Sequence, residues 1–153
     1  MAVRSGAIFH NPIFRFHDGV IGNKLLILLN TPTHDQAFLF VTTTSKKHDK
    51  PDTHGCYKHL SQGIFFIPFG GCSFFDRDTW LLLSQRYEIW PEDKHFKNDW
   101  HHIGQLNSRL MDNILKCLFK YHSDDISLSH EEWIRPKIES LKNQLADHFN
   151  KNR

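Results

Sequence analysis

Lys24-Leu25-Leu26-Ile27-Leu28-Leu29, followed after a short polar link by Ala37-Phe38-Leu39-Phe40-Val41-Thr42-Thr43, is the stretch on which the fold turns. The first run is apolar beyond its opening lysine and is bounded by Gly22-Asn23 before and Asn30-Thr31-Pro32 after. Such a run fits a strand buried on both faces or a short helix, and its length favours the strand. The second run is rich in aromatic and β-branched residues, which suit a pleated, half-buried surface. The link Thr31 to Gln36 is short enough for the two to pair as a hairpin.

Upstream, Ala7 to Phe16 mixes aromatic and β-branched residues with Asn11-Pro12 and ends on the turn signal His17-Asp18-Gly19. This predicts a strand bulged or interrupted at Pro12, because proline cannot donate to a ladder. Downstream, the polar stretch Ser45 to Gln62, with Pro51 and Gly55, reads as a long surface loop. Ile64 to Pro68 predicts a fourth strand, Thr79 to Leu83 a fifth and Tyr87 to Trp90 a sixth. After Pro91 the texture becomes charged and amphipathic. Leu106, Leu110, Ile114, Leu115 and Leu118 recur at helical spacing, predicting a helix over about 104–121. A second helix is expected over about 130–150, with Ser129 and Glu132 as a capping box. Its stripe is Trp133, Ile134, Ile138, Leu141, Leu145 and Phe149, and Pro136 in the second turn can move its start toward Arg135. The expected fold is mainly β with C-terminal helices. A small antiparallel β-barrel over about 5–91 is followed by two α-helices, all in one domain over 1–153.

One domain is what 153 residues normally support. A charged share of 24% beside a hydrophobic share of 39% excludes disorder over the whole length. Aromatics reach 13%, which fills a compact β core and also supplies rings that can stack on bases. A net charge of +2 is permissive of nucleic-acid binding without announcing it. The three cysteines, Cys56, Cys72 and Cys117, are an odd number with no secretory leader ahead of them, so no disulfide framework is expected and a cytoplasmic location is. No run is long enough to span a bilayer, so no membrane partner is expected. His54, Cys56, His59 and Cys72 have ligand-like chemistry, yet His54-Gly55-Cys56 is too tight for a structural zinc pair, and neither metal nor cofactor is expected.

The third strand runs into Thr42-Thr43-Thr44-Ser45-Lys46-Lys47, hydroxyls followed by two ammoniums at a loop mouth. Such groups can hold phosphate oxygens, although β-propensity alone accounts for a threonine-rich strand end. Arg4, Arg15, Lys24, Lys46, Lys47 and Lys50 can form one basic face if the fold gathers them.

Gly6-Ala7-Ile8-Phe9, the apolar strand introduced by Asn23-Lys24, the strand entering Thr42-Thr43-Thr44-Ser45-Lys46 and the helix from Gly104 to Leu118 together resemble the MazF/PemK toxins. The resemblance runs from Ser5 to Phe119 in order and spacing, and leaves the last helix as an addition. It implies an SH3-like barrel, a toxin–antitoxin setting, metal-independent endoribonuclease activity on single-stranded RNA, an antitoxin protein as partner and a homodimer. It places catalysis on Lys24, Thr43 and Ser45, and RNA binding on Arg15, Thr42, Thr44, Lys46 and Lys47. A loop histidine such as His17 or His48 is then the expected proton carrier. The family has Arg followed by Pro where this chain has Lys24 followed by Leu25. An ammonium lacks the planar fork by which a guanidinium grips phosphate. Two classes therefore stay open, a hydrolase of this kind and a non-catalytic SH3-like binding or adaptor module with a helical partner surface.

If a lysine-rich groove holds phosphates, RNA affinity should fall as salt rises, through counterion release. Lys24→Ala and Lys46→Ala should each weaken binding in a salt titration while leaving the circular dichroism spectrum unchanged.

Overall fold

The computed structural model describes residues 3–50 and 55–134. Its strands are β1 (Ala7–Arg15), β2 (Ile21–Leu28), β3 (Phe38–Thr44), β4 (Gly55–His59), β5 (Gln62–Ile67), β6 (Thr79–Ile89) and β7 (His101–Gln105). They form one seven-stranded antiparallel sheet in the order β4-β5-β6-β3-β2-β1-β7. Helix α1 (Lys94–Asp99) precedes β7, and α2 (Ser108–His122) follows it. Residues 128–134 are helical as well. The protein is thus mainly β with helices toward the C-terminus.

The quoted stretch forms the centre of the sheet. In β2 and β3, Ile27, Leu39 and Val41 face one core with Leu81 and Leu83 of β6, while Leu26, Leu28 and Phe40 face an aromatic core with Phe9, Phe14 and Trp100. Burial on both faces is why Leu26 to Leu29 carries no polar alternation. Helix α2 covers the first face with Met111, Ile114, Leu115 and Leu118, all buried. Its start is fixed by Asn107, whose side chain accepts from the Leu110 amide at 2.8 Å.

Pro12 does mark a bulge. The β1–β2 register shifts between Asn11 and Phe14, and the Asn11 carboxamide accepts the Ile13 amide at 3.0 Å, replacing a lost ladder bond. Elsewhere the structure departs from expectation. Strand β4 lies inside the stretch read as loop, and the expected fifth and sixth strands are one, β6, whose register against β3 shifts between Val41 and Thr42. Helix α1 and strand β7 were not anticipated, and Gly104 belongs to β7 rather than to a helix. The last helical segment is capped by Ser127, whose Oγ accepts from the His130 amide at 3.1 Å, and not by Ser129. Of its expected stripe, Ile134 is buried in the core and Trp133 packs on it. Pro136, Ile138, Leu141, Leu145 and Phe149 lie outside the described residues.

The cysteine expectation fails outright. Cys56 of β4 and Cys117 of α2 form a disulfide across a Cα separation of 5.6 Å, leaving Cys72 as the free thiol. An odd count permits one bridge wherever packing brings two thiols together, which α2 and the end strand do here. Among the described residues no helix is long and apolar enough to cross a membrane, and no cluster of metal-ligating side chains forms.

A second tie between α2 and the sheet is polar. The Gly63 amide donates to His122 Nε2 at 2.9 Å, so the ring proton sits on Nδ1 and is donated to Asp125 Oδ2 at 2.8 Å. A side chain at position 63 would meet that ring at 3.0 Å, hence glycine. Arg86 of β6 completes the group at 2.8 Å from Asp125 Oδ1. Desolvation raises the Asp125 carboxyl, but hydrogen bonds from His122 and Arg86 and their charges outweigh it and leave its pKa lowered. A carboxylate with a depressed native pKa contributes stability above its unfolded value of about 4, lost as pH falls through the native value. Asp125→Asn should cost about 1 kcal/mol at neutral pH, a figure discounted because the carboxylate is largely exposed, and should flatten the acid limb of a denaturant-midpoint series taken from pH 6 downward to about pH 2.

Candidate functional site

The exposed end of the central strands opens into a groove of about 360 Å³. Its walls come from β1 (His10), β2 (Asn23, Lys24, Leu25), the end of β3 with the next residue (Thr43, Thr44, Ser45), and the entry to β6 (Phe75, Asp76, Arg77, Thr79). The β1 bulge decides part of this. It brings His10 opposite Leu25 and Asn11 opposite Lys24, so His10 reaches the groove.

Lys24 sits at the start of the run that faces the aromatic core, and its ammonium lies 5.4 Å from the centre of the Phe16 ring. From there it donates to the Thr43 carbonyl at 3.0 Å. Partial burial, then the charges of Lys46 and Lys50, hold its pKa below the ordinary lysine value. Thr43 is buried, and its hydroxyl donates to the Leu25 carbonyl at 2.7 Å. It binds β2 to β3 beneath the groove, and Oγ1 keeps only acceptor capacity toward a ligand in this rotamer. Ser45 is exposed on the wall, and Thr44 Oγ1 accepts from the Lys46 amide at 3.2 Å.

Lys24, Thr43, Thr44 and Ser45 therefore converge, whereas the other expected contacts do not line the groove. Thr42 is buried, with its hydroxyl on Gln85 Oε1 at 3.0 Å. Arg15 lies beyond the bulge, paired with Ile21. Lys46 and Lys47 are exposed on the following turn, where the Lys50 ammonium caps the carbonyls of Lys46 and Lys47 at 3.3 and 3.4 Å. Lys46 and Lys50 thus act on the groove through their charge. Of the two loop histidines, His17 stacks on Tyr87 at 4.0 Å between ring centres, and His48 is exposed on the turn.

No family model matches the chain, and no curated protein matches it. Function rests on the groove itself.

Two groups that sequence reasoning missed supply what the expected set lacks. Arg77 brings a guanidinium, in contact with the neighbouring Asp76 at 3.3 Å, and the Thr79 hydroxyl holds the Arg77 carbonyl at 3.1 Å. His10 brings an imidazole, with Nε2 2.6 Å from the Asn23 carboxamide oxygen. That oxygen can only accept, so Nε2 carries the proton and Nδ1 is the basic nitrogen of the neutral ring. Lys24 and Arg77 bring positive charge to the wall, Asp76 is the one acid on it among the described residues, and the arrangement can hold an anion beside the imidazole of His10.

If the protonated form of Lys24 binds phosphate, then, because its pKa is already lowered, affinity should begin to fall at a lower pH than an ordinary lysine would allow, and continue falling as pH rises. An alkali-stable 2′-O-methyl oligonucleotide titrated between about pH 7 and 10.5 should show this loss, and Lys24→Arg should abolish it, since guanidinium stays charged throughout.

Proposed function

We propose that the groove binds the phosphodiester backbone of single-stranded RNA, and that the chain is a metal-independent endoribonuclease of the MazF/PemK kind. One observation carries this reading. Lys24, Thr44 and Ser45 share a single groove with Arg77 and His10, so a phosphate could meet cation, hydroxyl, guanidinium and base together. Arg77 offers the planar fork absent from Lys24.

In this reading the RNA 2′-hydroxyl gives its proton to His10 Nδ1 as its oxygen attacks the adjacent phosphorus. The P–O5′ bond breaks, the 5′-oxygen takes up a proton, and a cyclic phosphate remains. Lys24 and Arg77 stabilise the extra negative charge on the phosphorane, the kind of electrostatic contribution worth on the order of a hundredfold or more in rate. Thr43 holds the groove floor. The same reading has the sheet closing as an SH3-like barrel, with an antitoxin protein and a second copy of the chain as partners and the cytoplasm as location. The disulfide weighs against that location, because such bonds persist mainly in oxidising compartments.

The alternative, a non-catalytic SH3-like binding module, is favoured by the Thr43 hydroxyl being committed to a backbone carbonyl. Incubating the protein with a long RNA in chelator separates the two. Cleavage leaving cyclic phosphate ends, reduced about a hundredfold by His10→Ala, Arg77→Ala or Lys24→Ala, supports the enzyme. Salt-sensitive binding without cleavage supports the module, and cutting of RNA whose 2′-hydroxyls are methylated would mean that neither chemistry is right.

A further inference from the structure

We propose that the Cys56–Cys117 disulfide is a thiol-exchange site, taking a small carboxylate-bearing thiol onto Cys56 as a mixed disulfide. The bond lies in a groove of about 380 Å³ between β4 and α2, well separated in sequence from the residues of the phosphate groove. Its two sulfurs differ in access. Cys56 is an exposed residue on the end strand, while Cys117 is buried to 1% exposure beneath α2. A nucleophile arriving from solvent therefore meets Cys56 first, and exchange rate depends on which sulfur can be approached.

Charge gives the site its preference. Lys116 and Lys120 line the groove one helical turn apart, and Lys58, two residues from Cys56 on β4, shares its side of the strand. The Lys120 ammonium also rests 5.3 Å from the Tyr121 ring centre. Among the described residues no carboxylate lines this groove. Thiols bearing net negative charge are concentrated there.

The exchange balances without an external oxidant. The thiolate of the incoming molecule attacks Cys56 Sγ, a new S–S bond forms, and the Cys56–Cys117 bond breaks with its electron pair on Cys117 Sγ, which then takes up a proton. A second thiol molecule can repeat the attack on the mixed disulfide, leaving Cys56 reduced and the two small molecules joined as their own disulfide. The first step already severs α2 from β4. That strand stands at one end of the sheet and, among the described residues, pairs only with β5, so the covalent tie to α2 is a principal restraint on it.

The test uses the whole chain carrying Cys72→Ser, which removes the free thiol as a source of scrambling. Reduced glutathione is added, the mixture is quenched in acid, and the adduct is located by peptide mass. The expected result is glutathione on Cys56, a free thiol at Cys117 and faster amide exchange across β4. Lys116→Gln with Lys120→Gln should slow the reaction with glutathione by roughly threefold or more at low salt, and leave the reaction with neutral 2-mercaptoethanol unchanged. An adduct on Cys117, equal slowing for both thiols, a bond that resists excess glutathione, or purified protein with no disulfide would each overturn the proposal. None of these readouts depends on RNA.

Discussion

The packing of α2 into the core on one face of the sheet is the constraint from which the rest follows. Met111, Ile114, Leu115 and Leu118 lie on Ile8, Ile27, Val41 and Leu81, with exposures of zero to 1%. Each such side chain contributes about 1.5–3 kcal/mol on burial, so this one contact outweighs any single polar interaction in the chain. It also sets where chemistry can occur. No residue of the helix lines the groove into which His10, Lys24 and Thr43 open. At the other end of α2, His122 and Cys117 hook it to β5 and β4, one by hydrogen bonds and one covalently.

The parts of this arrangement legible in the sequence are those where burial alone selects the residues. Leu26 to Leu29 and Leu39 to Val41 had to be apolar on both sides because a core lies on each, and the α2 stripe follows from the same need on one side. Where polar residues do structural work, pattern fails. Ser84-Gln85-Arg86 looks like a break between two strands, yet Gln85 accepts from Thr42 and Arg86 bonds Leu83 and Asp125, so β6 continues through it. Gly55-Cys56-Tyr57-Lys58-His59 carries little β signal, and it is a strand because it pairs with β5. Ser127 and Ser129 are chemically equivalent caps, and the choice fell to the backbone's path out of His122.

The groove divides in the same way. Lys24 and Thr43 were visible because both flank the apolar runs, and a hairpin necessarily brings those flanks together. Proline at position 12 announced a bulge without giving its size. Unbulged, the turn would set Lys24 against Pro12. The bulge sets it against Asn11 and puts His10 opposite Leu25, which is how an unregarded histidine comes to line the groove. Arg77 could not have been found by spacing at all. It precedes β6, two strands away from β2, and its place depends on the β3–β6 pairing that sets Thr44 against Trp80.

This placement changes what the lysine at position 24 has to do. Partial burial and two neighbouring lysines make its ammonium less stable than usual, while its present partners are a carbonyl and the Phe16 ring, neither of which carries a negative charge. A phosphate entering the groove would supply the missing counter-charge, so part of the binding free energy would come from relieving an unfavourable charge already held by the fold. The guanidinium at position 77 is exposed and satisfied by Asp76, and can add direction to that attraction at little desolvation cost. Point charge and planar fork therefore sit on different segments, strand β2 and the entry to β6.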